Sequence, residues 1–196
     1  MLFRSIYTST GTGEASDADY FNVFINASTI ASSTKASKGV TTNLAADNSY
    51  VTIGTEASTP EACLNIYAGG NEVSGQYIVI KYRIDSKYAG LISDHLFIEC
   101  FTSTKNTDAT AGDHINTLGK ELLVANGEWQ IQIFDASTLT ETFTKNADGK
   151  YVAKYIRLDA LNQSAGEGGI PADLEIDIAF VAMCENTAPY LESLEK

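Results

Sequence analysis

Apolar and polar residues alternate with a period of two along much of this chain. The pattern runs through residues 19–25, 50–53, 63–67, 76–85, 95–102, 129–135, 151–159 and 174–183. Alternation of this kind puts successive side chains on opposite faces of an extended strand. The segments are rich in Ile, Val, Tyr and Phe, which suit a pleated, half-buried surface. In Gln76 to Asp85 the pattern is cleanest: Ile78, Ile80, Tyr82 and Ile84 fall on one face, and Tyr77, Val79, Lys81 and Arg83 on the other.

Helical signals are weak by comparison. Leu118 to Ala125 has the composition for one or two turns, but Gly119 lies inside it and Asn126-Gly127 ends it. Ala188 to Lys196 reads as a short terminal helix or a linker. The segments 8–18, 28–48, 102–118 and 163–172 read as long hydrophilic connections, a length often tied to function in a compact domain. These features predict an all-β fold, a two-sheet β-sandwich of jelly-roll type with long loops and little helix. Residues 1–186 form one expected domain and 187–196 a C-terminal tail or linker.

Composition narrows the function. The chain has 196 residues, 13 basic and 25 acidic side chains and a formal net charge of −12. Its three arginines, Arg4, Arg83 and Arg157, and its lysines are scattered, so it offers no clustered surface for phosphates and nucleic acid is excluded as a partner. With 44% apolar residues the chain is not disordered, and no apolar run is long enough to span a membrane. Charged residues make up only 19%, against roughly 25% in average domains, and 36 Ser and Thr hydroxyls solvate much of the surface. That balance suits an extracellular or cell-surface module of a larger bacterial protein, with neighbouring domains as possible partners.

Candidate chemistry is sparse. His95 and His114 sit in no recognisable motif, and no nucleophile elbow, zinc-protease helix or phosphate-cradling loop is present. Cys63, Cys100 and Cys184 each lie in an apolar stretch and read as small buried groups, not as a metal or disulfide framework. A non-enzymatic role is expected.

Three segments in order carry more information than any one of them. Gly127-Glu-Trp129 opens a strand ending in Asp135, Ile156-Arg157-Leu-Asp159 lies in a second, and Ile176-Asp177-Ile-Ala-Phe180-Val181 in a last. Over residues 127–184 this series resembles the C-terminal half of jelly-roll carbohydrate-binding modules and related galactose-binding-like domains. Alternation puts Trp129, Ile131 and Ile133 on one face of their strand, and likewise Ile176, Ile178 and Phe180. Trp129 is therefore expected chiefly as a core anchor, with a sugar-stacking platform as its other possible role.

The opposite face would then carry Gln130, Gln132, Arg157 and Asp159 toward a saccharide. Lys81 and Arg83, together with Phe97, Glu99 and Phe101, would border the same surface. The resemblance also implies a structural calcium ion near the chain ends, with Asp177 as its late ligand and Asp19 or Glu14 as an early one, although no calcium-loop motif is present. The expected function is carbohydrate binding without catalysis. The competing expectation is a structural or adhesive β-sandwich of a cell surface or phage particle, whose sheet faces meet protein neighbours.

The acidity is uneven. Residues 160–196 hold seven acids against Lys196 alone, half of the net charge, while the preceding 159 residues carry 18 acids and 12 bases. The excess belongs to the last strand and tail, where it would serve a cation or solubility.

Overall fold

A computed structural model describes residues 23–32, 40–55, 61–67, 73–91, 97–103, 116–138, 145, 147–149, 152–153, 155–162 and 173–194. Six strands form the larger sheet: β1 (Val23–Asn26), β2 (Val40–Leu44), β3 (Val51–Thr55), β6 (Tyr77–Arg83), β9 (Gln130–Asp135) and β12 (Glu175–Cys184). Four more, β4 (Glu61–Tyr67), β7 (Phe97–Ser103), β8 (Asn116–Leu122) and β11 (Tyr155–Asn162), form a second sheet. β5 (Val73–Ser74) and β10 (Val152–Ala153) make a short pair of their own. Every pairing is antiparallel. Two short helices, α1 (Ala27–Ser32) and α2 (Ala188–Leu191), complete the described chain with three 3₁₀ turns. None of the described helices is long and apolar enough to cross a membrane.

The fold is all-β, as the alternation predicted. The strand orders are β2-β3-β12-β6-β9, with β1 also on β12, and β4-β11-β7-β8. Between β3 and β12 the chain passes repeatedly from one sheet to the other, so most hydrogen-bonded neighbours are distant in sequence. The chain thus supplies strands to both sheets in turn.

The larger sheet has two unlike faces. Its inner face is the core: Val51 and Ile53 of β3, Ile78, Ile80 and Tyr82 of β6, Phe134 of β9, and Ile176, Ile178, Val181 and Met183 of β12 are all buried, joined by Ile30 of α1. Cross-strand register aligns them, with Ile178 opposite both Val51 and Tyr82, and Ile78 opposite both Met183 and Phe134. Burying each such aliphatic side chain contributes about 1.5–3 kcal/mol. The one polar atom in this row is satisfied, since the Tyr82 hydroxyl accepts the Val124 N–H at 2.9 Å.

Several elements depart from the sequence expectation. Segment 28–48, read as one connection, contains most of α1 and all of β2. β2 (Val-Thr-Thr-Asn-Leu) is an edge strand with little apolar signal, fixed by its pairing to β3. The possible helical turns at 118–125 are instead β8 and the start of a loop. There Gly119 weakens a helix, and pairing with β7 supplies the backbone partners. Residues 188–194 do not trail away: α2 and a final 3₁₀ turn fold back, with Tyr190 buried.

Candidate functional site

On the outer face of the larger sheet the side chains read as rows across the strands. At one end, Thr52 of β3 stands opposite Asp177 of β12, which stands opposite Arg83 of β6. Trp129 comes next, immediately before β9. The Asp177 carboxylate accepts hydrogen bonds from Arg83 Nη2 at 2.6 Å, Arg83 Nε at 3.0 Å and Thr52 Oγ1 at 2.7 Å. Both guanidinium donors converge on one carboxylate oxygen, Asp177 Oδ2, while Thr52 holds the other, Oδ1. The guanidinium carbon lies 4.6 Å from the Trp129 ring centre and 5.2 Å from that of Tyr50, and the two rings meet edge to face at 6.0 Å. The Lys81 ammonium stands 5.8 Å from the Trp129 ring.

Among the described residues, this end of the face is partly exposed and the more open of the two. Side-chain exposure is 33% at Arg83 and 19% at Asp177, and Tyr50, Trp129 and Lys81 are half-buried. The Asp177 hydrogen bonds hold the Arg83 guanidinium above its ordinary pKa, whereas partial burial lowers that of Lys81. Both remain cations at neutral pH. The result is a fixed arrangement of two aromatic rings, two cations and one carboxylate, with each cation near a ring.

Local turns put these groups in place. Gly127 takes φ +82°, a conformation that a side chain disfavours, and its N–H donates to the Ile84 carbonyl at 2.9 Å. Asn126 Oδ1 accepts the Glu128 N–H at 2.9 Å, so the turn before β9 is tied to the end of β6 and delivers Trp129 beside Arg83. Tyr50 is set by the β2–β3 turn, where Ala45 N–H donates to the Tyr50 carbonyl, Asn48 adopts φ 60° and Asp47 Oδ1 accepts from Ser49.

The other end of the same face is closed. A bulge between Ile178 and Phe180 shifts the β12 register, so Phe180, Ala182 and Cys184 join the outer face while Val181 and Met183 point inward. This corrects the grouping of Phe180 with Ile176 and Ile178, since strict alternation fails across a bulge. Phe180, Ala182, Cys184 and Val79 form a second buried cluster with Tyr190 of α2, and Tyr77, Ile131 and Ile133 pack against it. The Phe180 and Tyr190 rings lie 5.4 Å apart.

The expected site residues are divided by this geometry. Lys81 and Arg83 stand on the open end of the outer face. Gln130 and Gln132 lie on β9 in register with Tyr82 and Ile80, on the opposite face from Lys81 and Arg83. Trp129, Ile131 and Ile133 take the outer side instead. β9 carries apolar residues on both faces, and Phe134, not Trp129, fills the core position opposite Ile78. β9 also ends the sheet, where Gln130 reaches Asn126 Oδ1 at 3.3 Å. Phe97, Glu99, Phe101, Arg157 and Asp159 belong to the four-stranded sheet, where register sets Phe101 opposite Arg157 and Glu99 opposite Asp159.

Tyr50 and Thr52 were not among the expected site residues. Their alternation with Val51 and Ile53 was a usable signal. Asp177, the expected calcium ligand, directs its carboxylate to a guanidinium and a hydroxyl, and Asp19 lies outside the described residues. Among the described residues no three His, Cys, Asp or Glu side chains gather as a metal set.

No family model matches the chain, and no curated protein matches it. Among solved structures it is similar to a mutant of a family 29 carbohydrate-binding module complexed with cellulohexaose, at 10% identity and a TM-score of 0.44, covering 94% of this chain and 92% of that one. It is also similar to a β-1,3-glucan-binding family 6 module from Bacillus halodurans, at 13% identity and a TM-score of 0.42, covering 82% and 94%. A third similar structure is a cleaved adhesin domain of Lys-gingipain from Porphyromonas gingivalis, at 16% identity and a TM-score of 0.37, covering 67% and 69%. Solved carbohydrate-binding modules are thus among the structures this chain is similar to.

Proposed function

We propose that the protein is a non-catalytic carbohydrate-binding module of a larger extracellular protein, built as a jelly-roll sandwich and holding its glycan on the open end of the outer sheet face. The observation that carries this reading is the convergence of Lys81 and Arg83 from β6, Asp177 from β12, and Tyr50 and Trp129 from the segments leading into β3 and β9, onto one partly exposed surface. A pyranose ring has an apolar face of C–H groups and a rim of hydroxyls. An aromatic ring covers the first, and fixed donors and acceptors beside it satisfy the second. Trp129 and Tyr50 supply the rings. Arg83 and Lys81 are donors, and Asp177 is an acceptor held in place by its own hydrogen bonds.

Charge favours a neutral glycan. The two cations at this end are matched by Asp177 and by the exposed Glu175 two residues before it on β12.

A glycan array of plant, microbial and host saccharides, followed by isothermal titration of the hits, tests the proposal. Saturable binding of a neutral oligosaccharide is expected. A folded protein that binds none of them would overturn it.

A further inference from the structure

The outer face could have offered a long platform, because aromatic side chains continue past the open end. From the row of Arg83, β6 runs through Lys81 and Val79 to Tyr77, opposite Phe180, Ala182 and Cys184 of β12. Three such steps of two residues span about 20 Å. Yet Phe180 is only 5% exposed and Val79 0%, because Tyr190, itself 3% exposed, lies in the same cluster. The chain reverses directly after β12 to put it there. Asn186 Oδ1 accepts the Ala188 N–H at 2.9 Å, and the Thr187 carbonyl accepts from both Tyr190 and Leu191.

We infer that residues 188–194 act as a wall that confines the glycan to the single open row from Thr52 to Trp129, so that specificity is for a short stretch of sugar and not for an extended chain. The inference rests on the carbohydrate reading above and adds the determinant of ligand length. A saccharide lying on Trp129 and Tyr50 crosses the strands along that row. One running along β6 would collide with α2 within one or two rows. Tyr190 does not touch the sugar in this scheme. It is a positioning residue that holds the wall against Phe180.

The test is isothermal titration with cello-, laminari-, manno-, xylo- and galacto-oligosaccharides from disaccharide to hexasaccharide. For the unmodified protein, affinity should level off by the trisaccharide. If it climbs by about tenfold or more from trisaccharide to hexasaccharide, a step of about 1.4 kcal/mol, the wall is overturned while the carbohydrate reading stands. If no oligosaccharide of any length binds, both fall. Tyr190→Ala loosens the wall and uncovers Phe180, and it should extend the length dependence beyond the trisaccharide while leaving disaccharide affinity unchanged. An unchanged plateau in a folded Tyr190→Ala protein would overturn the wall. Should that variant fail to fold, the length series on the unmodified protein decides alone.

Discussion

The two ends of one sheet face are built from the same strands and serve opposite purposes. At the closed end, Phe180, Val79, Ala182 and Cys184 are sealed beneath Tyr190, and their contribution is burial of apolar surface. At the open end, Asp177, Arg83, Trp129 and Tyr50 keep polar and aromatic groups within reach of solvent, tied by hydrogen bonds and by stacking of cation on ring. The β12 bulge separates them. Before it the strand offers Asp177 to the outer face, and after it Phe180. Stability should therefore reside at one end and recognition at the other, and a perturbation at either should leave the other largely intact.

The largest effect is expected at the closed end. Phe180→Ala should cost about 3–5 kcal/mol in denaturant unfolding, as removal of a buried aromatic does. Trp129→Ala, from a half-buried site, should cost about 1 kcal/mol. Equal losses would erase the distinction between the ends.

Alkali probes the closed end a second way. Burial pushes the Cys184 thiol up to about 12 from an ordinary 9.0, with the Asn186 backbone hydrogen bond opposing the rise. A folded pKa above the unfolded one means that this stabilisation is whole below pH 9 and is lost as pH rises toward 12. The stability lost between about pH 8 and about pH 11 should be smaller in Cys184→Ala than in the unmodified protein, by urea unfolding at each pH. An identical loss would show that the thiol does not titrate with unfolding.

At the open end, Trp129→Ala should weaken glycan binding by about 2 kcal/mol, roughly thirtyfold, measured by titration calorimetry. The smallest change is expected from Asp177→Asn. Its ion pair with Arg83 is partly exposed, so the loss in stability should be about 0.5–1 kcal/mol and should shrink in high salt. A cost as large as that of Phe180→Ala would mean the open end is structural after all.

Much of the fold was legible because β6 alternates without interruption: its core face and its outer face sort as the sequence predicts, with Ile78, Ile80, Tyr82 and Ile84 buried. The same rule failed on β9, where apolar residues occupy both faces and period-two spacing cannot say which side turns inward. It failed on β12 because a bulge resets the period without a marker in the residues around Ala179. Of the site, Lys81 and Arg83 were legible. Tyr50 and Thr52 were legible only as one face of their strand, since they join the site through pairing with a strand about 125 residues away, as the Thr52–Asp177 hydrogen bond shows. The acidic end of the chain also gains a meaning there, for Asp177 pairs with Arg83 and Asp173 with Lys87 at 3.5 Å.

A glycan on the open row would report on one residue, because Trp129 is the only tryptophan in the chain. Its fluorescence should change saturably as an array-identified oligosaccharide is added, with the same midpoint as the heat of binding measured by calorimetry. Saturable heat with unaltered tryptophan emission would place the sugar elsewhere, off the row that Trp129 ends.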